Sequence, residues 1–140
     1  MKPRIVSFGT NGYIGTWLGY PAAFTQRVDV AEAAEVENAL DRLEEKPDVL
    51  VNCTGITGRP NIDWCEKHQT ETWAVNVKGA VNLMFACLKR NIRFVQIGSG
   101  CIYEGDNGGK GWGDSDLPNY EGSYYSKTKR ECEQAMRGYP

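Results

Sequence analysis

A phenol and an ammonium group stand four residues apart in Tyr125-Ser126-Lys127-Thr128-Lys129. On a helix, residues i and i+4 share a face, so Tyr125 and Lys129 can act together while Lys127 points away. Free tyrosine titrates near pH ~10 and is a poor proton donor or acceptor for carbonyl chemistry at neutral pH. A fixed cation beside it stabilises the phenolate, lowers that pKa and makes proton exchange with a carbonyl oxygen practical. The same spacing arises by chance in many helices, so it needs company. The run Gly9-Thr10-Asn11-Gly12-Tyr13-Ile14-Gly15 supplies it, with glycines at its first, fourth and seventh places.

That run follows a β-rich stretch and opens a helix, the context in which such glycines bind a dinucleotide. The first permits a tight turn, the second lets the backbone approach a pyrophosphate, and the third lets helix pack on strand. The amide groups at the helix start then face the anion. A glycine-rich strand–helix turn with no ligand is the plainer alternative. The spacing favours a coenzyme cradle of Gly9, Asn11, Gly12, Tyr13, Ile14 and Gly15. An acidic residue is expected about twenty positions after the first glycine, and Asp29 is the candidate. It can accept from an adenosine ribose hydroxyl, which favours NAD. It can instead edge the adenine with Val30, or cap the helix that follows. Arg27 beside it suits a 2′-phosphate, so NAD and NADP both stay open.

Elements that position these groups follow from the hydrophobic pattern. Arg4 to Phe8 reads as a strand, Thr10 to Leu18 as the turn and first helix, and Phe24 to Val28 as a second short strand. Val36, Leu40 and Leu43 mark a helix from Ala31 to Lys46, closed by Pro47. Asp48 to Cys53 is a continuous apolar run, the kind buried on both faces of a parallel sheet. Cys53, Thr54 and Gly55 end it where such sheets bind ligands. Gly55 to Asn61 is a loop and Ile62 to Gln69 irregular or a helical turn. Glu71 to Arg90 is a long amphipathic helix and Ile92 to Ile97 another buried strand. Gly98 to Gly122 is a glycine-rich loop, and Ser123 to Arg137 a last helix. Alternating strands and helices of these lengths mean βαβ units. The fold class is therefore α/β, a Rossmann-like doubly wound parallel sheet forming one NAD(P)-binding domain over residues 1–140.

Composition removes other classes. Eighteen acidic against sixteen basic residues give a net charge of −2, and the chain has no basic run, which argues against nucleic acid and a polybasic membrane anchor. No apolar stretch is long enough for a membrane span, and the N-terminus runs straight into a strand rather than a signal peptide. The five cysteines are odd in number and widely spaced, and the one His68 has no ligand spacing to them. Reduced thiols of a cytoplasmic protein, with no metal, are expected.

Together these features resemble the short-chain dehydrogenase/reductase superfamily, in its extended, nucleotide-sugar-modifying branch. Longer blocks narrow the resemblance. They are Asn52-Cys53-Thr54-Gly55-Ile56-Thr57-Gly58-Arg59-Pro60-Asn61-Ile62-Asp63-Trp64-Cys65-Glu66, then Asn76-Val77, then Gly100-Cys101-Ile102-Tyr103-Glu104, then Pro118 through Lys129. They are similar to dTDP-4-dehydrorhamnose reductases and the epimerase/reductases that make rhamnose nucleotides, over nearly the whole chain.

That resemblance implies a reaction in which NAD(P)H reduces the C4 ketone of a nucleotide-linked 4-keto-6-deoxyhexose. Tyr125 would give the proton, Ser99 would bond the carbonyl oxygen, and Lys129 would lower the tyrosine's pKa and hold the nicotinamide ribose. By residue type alone Ser99 is as well read as a turn serine. Cys101 takes the place of a thiol that works in epimerisation among bifunctional relatives, or is a small buried loop residue. Its partner lysine comes from the C-terminal part of that fold, past the last residue here. Arg59 and Asn61 would face the substrate. Trp64 and Trp73 are expected in packing, Trp112 in a mobile loop, and His68 at the surface. The family's fold has six strands and a substrate lobe, whereas 140 residues account for about four strands and no lobe. A homodimer, or a partner completing the sheet, would supply the rest.

Overall fold

The computed structural model describes residues 2–139. Its elements run β1 (Ile5–Phe8), α1 (Tyr13–Leu18), α2 (Ala33–Asp41), β2 (Val49–Asn52), α3 (Trp64–Lys67), α4 (Gln69–Trp73), a π-helical segment Ala74–Gly79, α5 (Ala80–Lys89), β3 (Arg93–Gln96), a 3₁₀ turn Gly100–Ile102 and α6 (Tyr124–Met136). The three strands pair in parallel in the order β1-β2-β3. Register places Val6, Leu50 and Phe94 side by side across the sheet. These apolar side chains join Val36 and Leu40 of α2 with Leu83, Ala86 and Cys87 of α5 in one core. Spacings of three and four put the helix residues on one face, and burying each valine or leucine contributes about 1.5–3 kcal/mol.

The expected fourth strand is absent among the described residues. Ser7 donates to the Pro21 carbonyl at 2.8 Å and accepts from the Ala23 N–H at 2.7 Å. This is a single bridge at Ala22 rather than a ladder. Beyond it Phe24 turns inward and packs edge-on against Phe8, 5.0 Å between ring centres. The apolar character of 24–28 is thus satisfied by side-chain burial and not by strand pairing. α2 is also shorter than the sequence suggests, because a turn over Asp29–Glu32 precedes it and Arg42 ends it.

The stub at Ala22 lies on one side of β1 and β2 lies on the other. The chain therefore reverses direction at β1, which opens a crevice beyond the strand ends. The long helix expected over 71–90 spans 69–89 but is interrupted by the π segment, a feature that often marks functional sites. Among the described residues no helix is long and apolar enough to cross a membrane. Nor does any group of three or more His, Cys, Asp or Glu side chains there stand ready to hold a metal ion. All five cysteines are free thiols.

Candidate active site

Gly9 ends β1 with φ at +84°, a left-handed conformation that glycine adopts without strain. A β-carbon there would lie 2.9 Å from the Thr54 nitrogen, so the turn after β1 touches the turn after β2. Gly15 is buried, and a β-carbon on it would come within 2.3 Å of the Gly9 carbonyl oxygen. Gly12 stands open at the start of α1, whose first amides have no side-chain cap. Asn11, Tyr13 and Ile14 are exposed around it. The sequence spacing of three glycines thus corresponds to one turn, one close approach and one open face.

A crevice of about 540 Å³ lies beside this turn, lined by Gly9, Gly12, Asp29, Val30 and the run Cys53–Ile56 among others. Its far wall is pinned from several directions. Asp29 Oδ1 accepts from the Ala31 N–H at 2.9 Å, and the Asp29 N–H donates to Glu35 at 2.9 Å. The Asp29 side chain thus caps the turn before α2, and Asp29 and Val30 both line the crevice. Val30 is buried against Gly79, where a β-carbon would sit 2.5 Å from Val30 Cγ2, and its carbonyl accepts from Asn82 at 2.9 Å. The near wall is held by buried Asn52, whose Oδ1 accepts from both the Thr54 N–H and the Thr54 hydroxyl.

Tyr125 and Lys129 lie on the buried face of α6, and Lys127 is exposed, as the i, i+4 argument requires. Ser123 caps α6 by accepting from the Ser126 N–H, while Glu66 of α3 accepts from the Tyr124 N–H at 2.6 Å. The phenol is thereby fixed by a helix start held from two sides. Burial pushes the Tyr125 pKa up, and the adjacent Ser99 hydroxyl offsets part of this. The Lys129 ammonium sits over the tyrosine ring, 5.9 Å from its centre. Burial pulls its own pKa down. The expected lowering of the phenol by the lysine is therefore not what this arrangement produces: the cation faces the ring, and desolvation dominates.

Ser99 precedes the 3₁₀ turn and accepts from the Cys101 N–H at 3.2 Å. Cys101 is exposed and Cys65 buried, and both lie close to Tyr125. Ser99, Cys101, Tyr125 and Lys129 are thus gathered in one place. Arg59 and Asn61 are exposed on the loop before α3, and Asn61 Oδ1 is engaged by the Asp63 N–H at 2.9 Å. His68 is not a free surface residue: it stacks on Trp64 at 3.6 Å and its Nδ1 meets the Trp64 carbonyl at 2.8 Å. Trp73 is 41% exposed and donates to Glu131 on α6, so it ties helices together at the surface. Trp112 donates to the Gly105 carbonyl at 3.0 Å and stacks on Tyr103.

The motif reading gives one residue of this site no role. Asn76, 2% exposed within the π segment, exchanges both amide hydrogen bonds with Ile56 and donates to Thr128 Oγ1. Thr128 in turn donates to the Tyr125 carbonyl. Gly55, expected at the strand end, also meets the lysine: a β-carbon there would lie 3.3 Å from Lys129 Nζ. Besides the Asn76-Val77 block, the sequence signal was an asparagine amid an apolar helix, where an amide is buried only for its hydrogen bonds.

Comparison with known proteins agrees with this geometry. Residues 8–140 match the model of the NAD dependent epimerase/dehydratase family. The chain is 35% identical over 141 residues to a bifunctional dTDP-4-dehydrorhamnose 3,5-epimerase/dTDP-4-dehydrorhamnose reductase of Arabidopsis thaliana, covering 94% of this chain and 47% of that protein. The solved L780 UDP-rhamnose synthase of Acanthamoeba polyphaga mimivirus superposes with a TM-score of 0.81 at 28% identity, over 97% of this chain and 52% of that one. A dTDP-4-dehydrorhamnose reductase of Bacillus anthracis, solved with NADP, shares the fold at a TM-score of 0.80 and 23% identity, over 96% and 48%. The chain spans about half the length of these relatives. With the glycine turn, the crevice at the strand switch and the Rossmann-like sheet all in place, the chain belongs to the NAD dependent epimerase/dehydratase family.

Proposed function

We propose that this chain is the coenzyme-binding and proton-transfer portion of a nucleotide-sugar reductase. The substrate class is a dTDP- or UDP-linked 4-keto-6-deoxyhexose, the ketone at C4 being reduced. The observation that carries this reading is the place of Gly55. It lines the crevice, and its missing β-carbon leaves the Lys129 ammonium at the rim. The two motifs, 110 positions apart in the chain, converge there.

The residues fit a nicotinamide dinucleotide. Volume in the hundreds of Å³ suits a cofactor pocket, and the Gly9 and Gly15 positions exclude any side chain from the turn. Asp29 and Val30 would bound the adenosine, Gly9 to Gly15 the pyrophosphate, and Cys53 to Gly55 the middle of the crevice. Tyr125 and Lys129 would meet the nicotinamide ribose. When bound, the coenzyme supplies the hydride.

The chain's own groups supply placement and a proton. Burial keeps the Tyr125 phenol protonated at neutral pH, the state needed to donate to a carbonyl oxygen that gains negative charge. Ser99 orients that oxygen beside the phenol. Lys129 Nζ has no hydrogen-bond partner among the described residues, which leaves it for a ribose hydroxyl and for the phenolate formed after transfer. Cys101 stands beside Tyr125 as an exposed thiol suited to moving a proton at a neighbouring carbon. Arg59 and Asn61 would approach the substrate from their loop.

The test is to titrate the purified chain with NADH and NADPH by fluorescence, then add the 4-keto sugar nucleotide and follow the loss of reduced coenzyme. Tyr125→Phe should cut turnover about 100-fold or more while coenzyme affinity stays within about threefold. Turnover unchanged by that substitution would sink the assignment. Tight coenzyme binding with no turnover would instead make the chain a dinucleotide-binding fold without catalysis.

A further inference from the structure

The groups gathered for proton transfer come from two stretches of chain with a long loop between them. Ser99 and Cys101 belong to the 3₁₀ turn after β3, and Tyr125 lies on α6. The two ends of the intervening loop are tied together. The carbonyl of buried Ile102 accepts from the N–H groups of Asn119 and Tyr120 at 3.2 and 3.1 Å. The Asn119 side chain closes the neck. Its Oδ1 accepts from the Glu104 N–H at 2.8 Å, and its Nδ2 donates to the Glu104 carbonyl at 3.1 Å. One side-chain amide thus satisfies both backbone groups of Glu104.

Inside the neck the loop packs on its own side chains, in the manner of an Ω-loop. Tyr103 stacks on Trp112 with 5.1 Å between ring centres, and its hydroxyl donates to the Asp116 carbonyl at 3.2 Å. Arg137, at the end of α6, donates to the same carbonyl at 3.2 Å. Outside the neck the links to the chemistry are short. On one side the Tyr103 N–H donates to the Gly100 carbonyl and the Cys101 N–H to Ser99 Oγ, each at 3.2 Å. On the other, the Tyr120 ring folds over Gly122, where a β-carbon would meet it, and Ser123 then caps α6. Asn119 itself is exposed, so its two bonds compete with water and add little to overall stability.

We propose that Asn119 is a positioning residue, whose clamp on Glu104 sets the Ser99 hydroxyl against the Tyr125 phenol. This rests on reading Tyr125 as the proton donor. Holding the ends of a loop together costs chain entropy that grows with loop length, and the bonds at the neck offset it. Without the clamp the turn that carries Ser99 gains freedom, and a displacement of about 1 Å between reacting groups can cost about 100-fold in rate.

Two measurements test this, and one needs no turnover. In a chain labelled with carbon-13 in its tyrosine rings, NMR follows the Tyr125 signal as pH rises, assigned by its loss in Tyr125→Phe. The Ser99 hydroxyl offsets part of the burial that raises the Tyr125 pKa, so Asn119→Ala should move this titration to higher pH. Lys129, Cys65 and Cys101 also face the phenol and are the same in every variant. Asn119→Asp keeps the acceptor for Glu104 and loses the donor, so it should fall between. Asp106→Ala removes a like exposed bond, to the Gly108 N–H, from the body of the loop and should leave the titration in place. In turnover of the 4-keto sugar nucleotide, Asn119→Ala should lower kcat about tenfold, with the coenzyme KM within about threefold. The alkaline limb of its kcat profile should shift to higher pH, because the donor must be protonated. An unmoved Tyr125 titration in folded Asn119→Ala overturns the proposal, as does an equal movement in Asp106→Ala or an unchanged kcat. Should Asn119→Ala not fold, an unmoved titration in Asn119→Asp overturns it equally. If the unaltered chain turns nothing over, the functional reading falls, and the titration still decides whether Asn119 sets Ser99 against Tyr125.

Discussion

Arg90 and Lys129 are both cations borne on helices, and the fold treats them in opposite ways. Arg90, ending α5, donates to Glu37 and Asp41 side chains and to the carbonyls of Ala86 and Glu37. Lys89 adds a further bond to Glu37. These contacts fasten α2 to α5 over the sheet, and the paired carboxylates raise the Arg90 pKa. Lys129 is buried on α6 with no carboxylate beside it, and burial lowers its pKa. Arg90 has its donors filled by the protein. Lys129 has its donors left open, which in the proposed site leaves them for a ligand, at a cost in stability.

Substitutions that exchange the two outcomes would break this contrast. The largest effect is expected from Lys129→Met, which should lower turnover about 100-fold or more. The same change should raise stability by about 1 kcal/mol at neutral pH, because a buried charge without a partner is removed. Since the folded pKa lies below the unfolded value of 10.5, the wild type carries this penalty at neutral pH. The penalty is relieved as pH rises through the folded pKa toward 10.5, so the variant's advantage in urea melts should shrink over that range. A variant no more stable than wild type would mean that Lys129 is solvated better than its burial implies.

Asn76→Ala comes next. It should destabilise the fold by about 3 kcal/mol in urea melts, because it leaves buried backbone groups of Ile56 unpaired. It should weaken coenzyme binding as well, since the Ile56 loop lines the crevice. Arg90→Ala should cost about 2 kcal/mol by the same measurement, with coenzyme affinity unchanged. If it weakened the coenzyme as much as Asn76→Ala, the separation between a structural and a chemical region would not hold.

The smallest effect concerns acid. Lys89 and Arg90 hold the Glu37 carboxylate below its ordinary 4.5. A lowered carboxylate contributes stability that is present above the unfolded pKa and lost as pH falls through the folded one. Wild type and Glu37→Gln should therefore differ at pH 7, and the difference should close in melts taken progressively below pH ~4.5.

Local signals were legible where the physics is local. Three glycines spaced by three, Ser123 before a helix, and Tyr125 with Lys129 on one helical face each follow from backbone geometry within a few residues. The buried run of β2 was equally readable, whereas β3, expected to be buried as well, is only half-buried because it stands at the edge of the three-stranded sheet. The segment 24–28 misled because β-rich composition shows that side chains seek burial and not whether a ladder forms; Phe24 found Phe8 instead. The helix expected to be continuous over 71–90 carries a π segment that no periodicity announces. Trp64 and His68 form a stacked pair that only the turn between them could create.

The sequence by itself determined that this chain makes an α/β sheet with a glycine turn after β1 and a tyrosine–lysine pair on α6. Those features depend on torsion preferences and on helical and strand periods, which are written in adjacent residues. Only the tertiary structure decided that Gly55 makes room for Lys129, that Gly79 admits Val30, and that Asn76 links Ile56 to the helix of Tyr125. It also decided that Asp29 caps its own turn. The first three join residues far apart in the chain. A contact of that kind depends on how whole elements pack, and packing is settled by the summed burial of many side chains rather than by any one motif.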